Sequence, residues 1–321
     1  MKFLIAGLGS IGRRHLRNLA ALGETDIVLF RTGRSTLPDE ELAPYVSEQS
    51  LEEALAHKPD AVIVSNPTAL HLDVAIPAAE AGCHLLIEKP ISHSMDRVRD
   101  LQEAVRTGGG KVLVGYQFRF HPGIQGVKHA LEESRIGDPL YARAYWGEYL
   151  PDWHPWEDYQ NSYAARSELG GGVTLTLSHP FDYLRFFFGE VRTVVGWAER
   201  LEGLHIDVDG MAEATMLMHS GVHASVHVNY LDRPPRHQLE ILGTQGRLVW
   251  LSESGRVILE GRDGDRTTIF EPGGAFERNQ LFLSEMKHFL AMIWDELPPV
   301  CTLDDGIEAL RIALTLIKAD G

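Results

Sequence analysis

Three glycines, Gly7, Gly9 and Gly12, stand in the spacing G-x-G-x-x-G directly behind the apolar run Phe3-Leu4-Ile5-Ala6. A strand that turns through glycine into a helix aims the free N–H groups of the helix start at an anion. Gly7 permits the turn, Gly9 lets backbone approach a pyrophosphate, and Gly12 allows close helix–sheet packing, with Ser10 and Ile11 opening the helix. The predicted ligand is a dinucleotide. About 20 residues on, where such sites read the ribose, the sequence is Phe30-Arg31-Thr32-Gly33-Arg34-Ser35. No carboxylate stands there to take a ribose 2′-hydroxyl. Arg31 and Arg34, with the Thr32 hydroxyl, suit a 2′-phosphate, since guanidinium meets phosphate through a planar fork. The expected cofactor is NADP(H) in preference to NAD(H).

Two further groups of residues have chemistry in them. Glu88-Lys89-Pro90 follows an apolar run, where parallel α/β sheets place their ligands. Beside a nicotinamide, Lys89 would stabilise a developing alkoxide or share its proton, with Glu88 orienting it. Gly170-Gly171-Gly172 leads into Thr176, His179 and Asp182. A helix starting among these glycines puts His179 and Asp182 on one face, three residues apart.

The elements that must position these residues fall into two textures. Up to residue 118, short unbroken apolar runs alternate with amphipathic stretches, as in strands covered on both faces by crossover helices. Strands are predicted at Lys2–Ala6, Ile27–Phe30, Ala61–Val64, Leu85–Ile87 and Lys111–Val114, with helices at Ile11–Leu22, Leu51–His57, Ala69–Ala81 and Ser94–Arg106. This is the pattern of an α/β, Rossmann-type, doubly wound parallel sheet. Beyond it, alternating strands from Val191 to Phe270 favour a large, open, mostly antiparallel sheet in an α+β domain. Helices are expected at Pro122–Arg135, Asn279–Trp294 and Asp304–Ala319, and a loop rich in aromatic residues at Leu150–Leu169. The expected division is 1–118 for cofactor and 119–321 for substrate and oligomer contacts.

Composition narrows the partners. With 321 residues the chain is long for one core. Its 30 basic and 45 acidic residues leave a net charge of −15, which opposes nucleic acid and anionic lipid. Cys83 and Cys301 are too few for a disulfide framework or a zinc cage, in keeping with a cytoplasmic protein. His219, His223 and His227 recur every four residues, yet Val222–Asn229 alternates like a strand. On a strand that spacing is about 13 Å, too far for one metal, so no metal site is expected.

The glycine fingerprint, Glu88-Lys89-Pro90 and the glycine-led His179 segment, in this order, resemble the Gfo/Idh/MocA family of sugar and polyol oxidoreductases along nearly the whole chain. Asn66-Pro67-Thr68 with His71, and Gly115–Pro122 with Gln117 and Arg119, belong to the same likeness. The resemblance implies that Lys89 and His179 are the catalytic pair, and that Lys89-Pro90 is a cis peptide. It adds Asn66, Pro67, His71, Glu88 and Gln117 to the cofactor site, and Arg119, Thr176 and Asp182 to the substrate site. It departs at Thr176, which occupies a slot where the family often carries aspartate. Trp153, Trp156 and Tyr163 would stack on a sugar face, with Asp152 and His154 bonding its hydroxyls; packing of that loop onto the sheet explains the same residues.

The expected activity is hydride transfer between a nicotinamide cofactor and a carbohydrate, polyol or sugar derivative. Its rivals on the same fold are an NAD-dependent glycosidase and a catalytically silent, cofactor-sensing regulator. A homodimer or homotetramer would cover the open sheet.

Overall fold

In the computed structural model, which describes residues 1–33, 37–153, 157–272 and 277–318, the chain forms two compact units. The first contains Met1–Gln117, Glu168–Gly170 and Arg278–Leu310; the second contains Phe118–Ser167, Gly171–Glu277 and the end of the chain from Arg311.

The first unit is built on six strands: β1 (Phe3–Ala6), β2 (Ile27–Phe30), β3 (Val46–Glu48), β4 (Ala61–Val64), β5 (His84–Glu88) and β6 (Val112–Gly115). All pair in parallel, in the order β3-β2-β1-β4-β5-β6. Every residue of β1, β4 and β6 is buried, which is why these strands read as unbroken apolar runs. Between them lie α1 (Ser10–Ala21), α2 (Leu51–Ala56), α3 (His71–Glu80) and α4 (Val98–Gly108). The unit is the Rossmann-type sheet expected.

The second unit holds α5 (Pro122–Glu132), β7 (Pro139–Gly147), α6 (Val173–Thr176), α7 (His179–Phe188) and strands β8 to β14. The latter are Val191–Glu199, Met211–Met218, His223–Asn229, Arg236–Gly243, Gly246–Leu251, Val257–Gly261 and Arg266–Phe270. Their order is β14-β13-β12-β11-β7-β10-β9-β8, antiparallel throughout except for β7 beside β10. The aromatic segment after β7 is organised as short 3₁₀ turns at Leu150–Asp152, Tyr159–Asn161, Tyr163–Ala165 and Ser167–Leu169. The glycine-led helix is two pieces, broken at Leu177-Ser178, where Pro180 offers no N–H to an earlier turn.

The last helices are α8 (Asn279–Ile293) and α9 (Leu303–Lys318). A single cut at residue 118 gives both to the second unit, whereas α8 and the segment to Leu310 cluster with the first. Asn279 bonds to Asn18 of α1 at 2.9 Å, Lys111 Nζ donates to Met292 O at 2.6 Å, and Val114 N–H donates to Cys301 O at 3.0 Å. These contacts link residues too far apart in sequence for periodicity to reveal. Both cysteines are buried, and neither forms a disulfide. Among the described residues no helix is long and apolar enough to cross a membrane.

Candidate active site

In the first unit the fingerprint forms the turn from β1 into α1. A Cβ at Gly7 (φ +91°) would lie 2.4 Å from Asn66 N, and one at Gly12 would lie 1.9 Å from Gly7 O. Both glycines are demanded by the protein's own backbone. Gly9 differs: a Cβ there meets no atom within 4 Å, and its φ of −74° suits any residue. No side chain caps α1 and no acid stands in its first turn. Gly9 and Ser10 are exposed and Ile11 half-buried. The helix start is therefore electropositive and open to an anion.

Among the described residues of this unit, Asn66 Oδ1 beside the turn and Gln117 Oε1 after β6 are buried oxygens with no donor. A buried acceptor left in that condition costs about 1–3 kcal/mol, which a hydroxyl or carboxamide N–H of a bound group would relieve. An uncapped helix, an unhindered Gly9 and two orphaned acceptors fit a nicotinamide dinucleotide. His71 is placed differently from Asn66. It is buried, with Nδ1 2.9 Å from Pro90 O and Nε2 2.9 Å from Asn66 O. Burial holds its pKa below the ordinary value despite those carbonyls, so the neutral ring donates to one at a time and braces the chain at Asn66 and Pro90.

Arg31 sits at the end of β2, where its guanidinium meets the carboxylate of Asp39. Thr32 is exposed, and Arg34 lies outside the described residues. Asp39 is held below the usual carboxylate range, first by its hydrogen bond from Arg31 and then by the Arg31 and Arg13 charges. Arg13, buried on α1, reaches the same segment: Nε donates to Leu8 O at 2.9 Å and Nη1 to Glu41 at 2.8 Å. The sequence reading missed Arg13, Asp39 and Glu41, because their meeting depends on how the loop after β2 folds back.

Lys89 follows β5 directly and is half-buried, with Lys89-Pro90 in the cis form that the resemblance implied. Its N–H donates to Glu88 Oε2 at 3.3 Å, while Glu88 Oε1 lies 2.8 Å from His15 Nε2.

In the second unit, His179 and Asp182 share the first turn of α7, as their spacing predicted. His179 is buried, its ring centroid 4.7 Å from Phe118 and 5.4 Å from Trp146. Asp182, fully buried, is paired with Arg119: Nη2 to Oδ1 is 2.7 Å, and Nε lies 3.1 and 3.0 Å from the two oxygens. The structure thus turns these two residues toward each other, tying the turn at Gln117–Phe120 to α7. Thr176 is buried, and the Tyr230 phenol, which donates to Ala164 O at 3.5 Å, has its pKa pushed well up by burial. Trp153 packs edge-on to Tyr230, centroids 5.5 Å apart, and its buried Nε1 has no acceptor. Tyr163 is 38% exposed. Asp152 forms an exposed ion pair with Arg233 at 2.8 Å, and His154 and Trp156 lie outside the described residues.

The glycines that lead this segment are crowded by protein. A Cβ at Gly171 would lie 2.5 Å from Tyr163 O, and one at Gly172 (φ +106°) 2.2 Å from Asp209 Oδ1. Asp209 accepts from Thr174 N at 2.8 Å and Thr174 Oγ1 at 2.6 Å. Burial raises its pKa against those bonds.

His237 was passed over in the sequence, yet it stacks flat on Trp146 with centroids 4.4 Å apart and contacts Phe118 at 5.0 Å. Burial, then the neighbouring His121, drives its pKa well down. His121, which caps α5 by accepting from Gly123 N at 2.9 Å, is pushed by burial to about 4. The His179 surroundings are accordingly aromatic and dry. On β10, His227 bonds to Glu213 at 2.6 Å and stacks on Tyr145, the strand-face role expected of it.

Comparison with known proteins gives the same picture at family level. Residues 1–116 match the model described as an oxidoreductase family with an NAD-binding Rossmann fold, and residues 124–249 match the GFO/IDH/MocA C-terminal domain. A 1,5-anhydro-D-fructose reductase from Ensifer adhaerens is 27% identical, the match covering 81% of this chain and 77% of the relative. A myo-inositol 2-dehydrogenase from Thermotoga maritima is 25% identical over 99% of this chain and 96% of its own. Among solved structures, a levoglucosan dehydrogenase in complex with NADH and levoglucosan has a TM-score of 0.86 at 20% identity, covering 99% of this chain and 96% of that one. At that identity the structural likeness speaks for the fold alone.

Proposed function

Because the chain belongs to the Gfo/Idh/MocA family of oxidoreductases, we propose that it is a dehydrogenase or reductase that moves a hydride between a nicotinamide cofactor and a CH–OH carbon of a sugar, polyol or sugar derivative. The observation that carries the reading is the start of α1: uncapped, free of acids, and open at Gly9 where Gly7 and Gly12 are closed by backbone. The curated relatives act on an anhydrofructose and an inositol, which supports a substrate bearing several hydroxyls.

In this reading the α1 N–H groups at Ser10 and Ile11 hold the diphosphate, with Gly9 giving it room. Asn66, Pro67, Glu88 and Gln117 line the rest of the cofactor site, and Asn66 Oδ1 and Gln117 Oε1 gain donors there. Bound nicotinamide supplies the hydride acceptor or donor. His179 takes the hydroxyl proton in the oxidative direction and returns it in reduction. The Lys89 ammonium stabilises the oxygen as charge develops on it. Thr176, Trp153 and Tyr163 shape the polyol site, and the Arg119–Asp182 pair fixes the turn from which His179 projects. With no carboxylate in the aspartate slot that Thr176 fills, proton transfer rests on His179 and Lys89.

For the cofactor we propose NADP(H) over NAD(H), with Arg31 and Thr32 meeting the 2′-phosphate. The pairing of Arg31 with Asp39 favours the other reading, in which Asp39 takes ribose hydroxyls as a carboxylate. Fluorescence titration separates them. A lower Kd for NADPH than for NADH, with the gap closed by Arg31→Ala, supports the first; equal constants or tighter NADH contradict it. We also propose that a second copy covers the open sheet, where Val195 and Trp197 of β8 and Leu140 of β7 stand exposed.

A further inference from the structure

Next to Lys89 in the chain, Glu88 belongs to a cluster of three buried ionisable side chains contributed by three elements of the first unit, and two of these side chains have no role assigned above. The three are His15 on α1, Glu88 at the end of β5 and Glu285 on α8, and their nearest ligand atoms all lie within 4.8 Å of one another. His15 and Glu285 are fully buried and Glu88 is nearly so. Glu88 is well supplied as an anion: one oxygen accepts from His15, the other from the Lys89 N–H. Glu285 is the opposite case. Neither of its oxygens has a hydrogen-bond donor. Phe282 of the same helix meets the His15 ring edge-on at 6.0 Å.

Two carboxylates this close, out of water, cannot both be ionised at modest cost. A carboxylate needs donors, and Glu285 is offered none. A carboxylic acid needs an acceptor, and the Glu88 carboxylate stands beside it. The cations near the cluster, Lys89 and Arg14, act on Glu88 rather than on Glu285. Burial raises the Glu88 carboxyl, but the His15 hydrogen bond and then the neighbouring His15 and Lys89 bring it below its ordinary value. Burial and then the Glu88 charge push Glu285 well above its own.

We infer that Glu285 is a positioning residue for Lys89: it stands in the buried cluster as a neutral acid, so that Glu88 is the single anion, fixed by His15 and turned onto the lysine that follows it. The inference rests on the proposed role of Lys89 for its effect on turnover, but not for the proton on Glu285. Sequence reading gives no sign of the cluster, since an acid within a helix passes for a solvated surface residue.

Difference infrared spectroscopy of the full-length protein, without substrate, tests the proton directly. At pH 7 a protonated-carboxyl band, slow to shift in deuterium oxide, should be present in the wild type and missing from Glu285→Gln. Equal spectra in that region overturn the inference. Kinetics test the positioning. Glu285→Ala should lower kcat by about 10- to 100-fold with less effect on the KM for cofactor, and Glu285→Gln, neutral and of the same shape, should restore most of the loss. A Gln variant as impaired as Ala overturns the inference, as does a zinc ion retained at one per chain after dialysis against zinc chloride and then buffer. If the wild type shows the band but turns over no sugar, the proposed function fails while the proton assignment stands.

Discussion

The residues assigned to the two units make their sites in opposite ways. In the first unit the groups are the backbone N–H of a turn that exposes Gly9 and Ser10, and the carboxylate and ammonium of Glu88 and Lys89 after β5. In the second, His179 sits among Phe118, Trp146, His121 and His237, nearly all buried. The glycines repeat the contrast. Gly171 and Gly172 are required because carbonyls and the Asp209 carboxylate leave no room for a Cβ, whereas Gly9 is required by nothing in the protein. An unhindered glycine of ordinary φ at an uncapped helix start leaves room for a ligand, whereas a crowded glycine explains only the fold.

The dry histidine cluster should give the larger effect. His121, near 4 in the folded state against an ordinary 6.5, binds its proton more readily when unfolded. Stability is therefore full above pH 6.5 and falls as pH drops toward 4, by about 3 kcal/mol for a shift of this size. Urea unfolding between pH 7 and pH 4 should show this loss, and His121→Gln should flatten it. A profile as steep in the variant would remove the histidine from the account.

The glycines sharpen the comparison at smaller magnitude. Gly172→Ala, forced against Asp209 at positive φ, should cost about 1–3 kcal/mol of stability and leave dinucleotide affinity alone once the protein is folded. Gly9→Val should do the reverse, keeping the unfolding midpoint and weakening the dinucleotide Kd by about tenfold or more, about 1.4 kcal/mol. If Gly9→Val destabilised the fold while binding survived, the contrast would collapse.

How much of this was legible in the sequence follows the same physics. Strands β1, β4, β5 and β6 announce themselves as apolar runs because both faces are covered, and α7 by the spacing of His179 and Asp182. Strand β3 does not, because Val-Ser-Glu at the sheet edge leaves Val46 and Ser47 exposed. The glycine fingerprint and Lys89 are local signals, readable from neighbours in the chain. The Arg119–Asp182 pair, Asp209 beneath Gly172, Asp39 beside Arg31 and Glu285 beside Glu88 all join positions far apart or on opposite sides of a loop. Each residue type was visible, but its partner was not, and it is the partner that decides whether a charge is spent on packing or left for chemistry.

The central claim is that the dinucleotide is held by the first unit while His179 of the second moves the proton. Pre-steady-state reduction of cofactor by His179→Ala, loaded with the dinucleotide and mixed with a polyol the wild type accepts, tests it most directly. The account predicts cofactor affinity within about twofold of wild type and a hydride-transfer rate lower by about 100- to 10,000-fold. A rate near that of the wild type, at full cofactor occupancy, would contradict it.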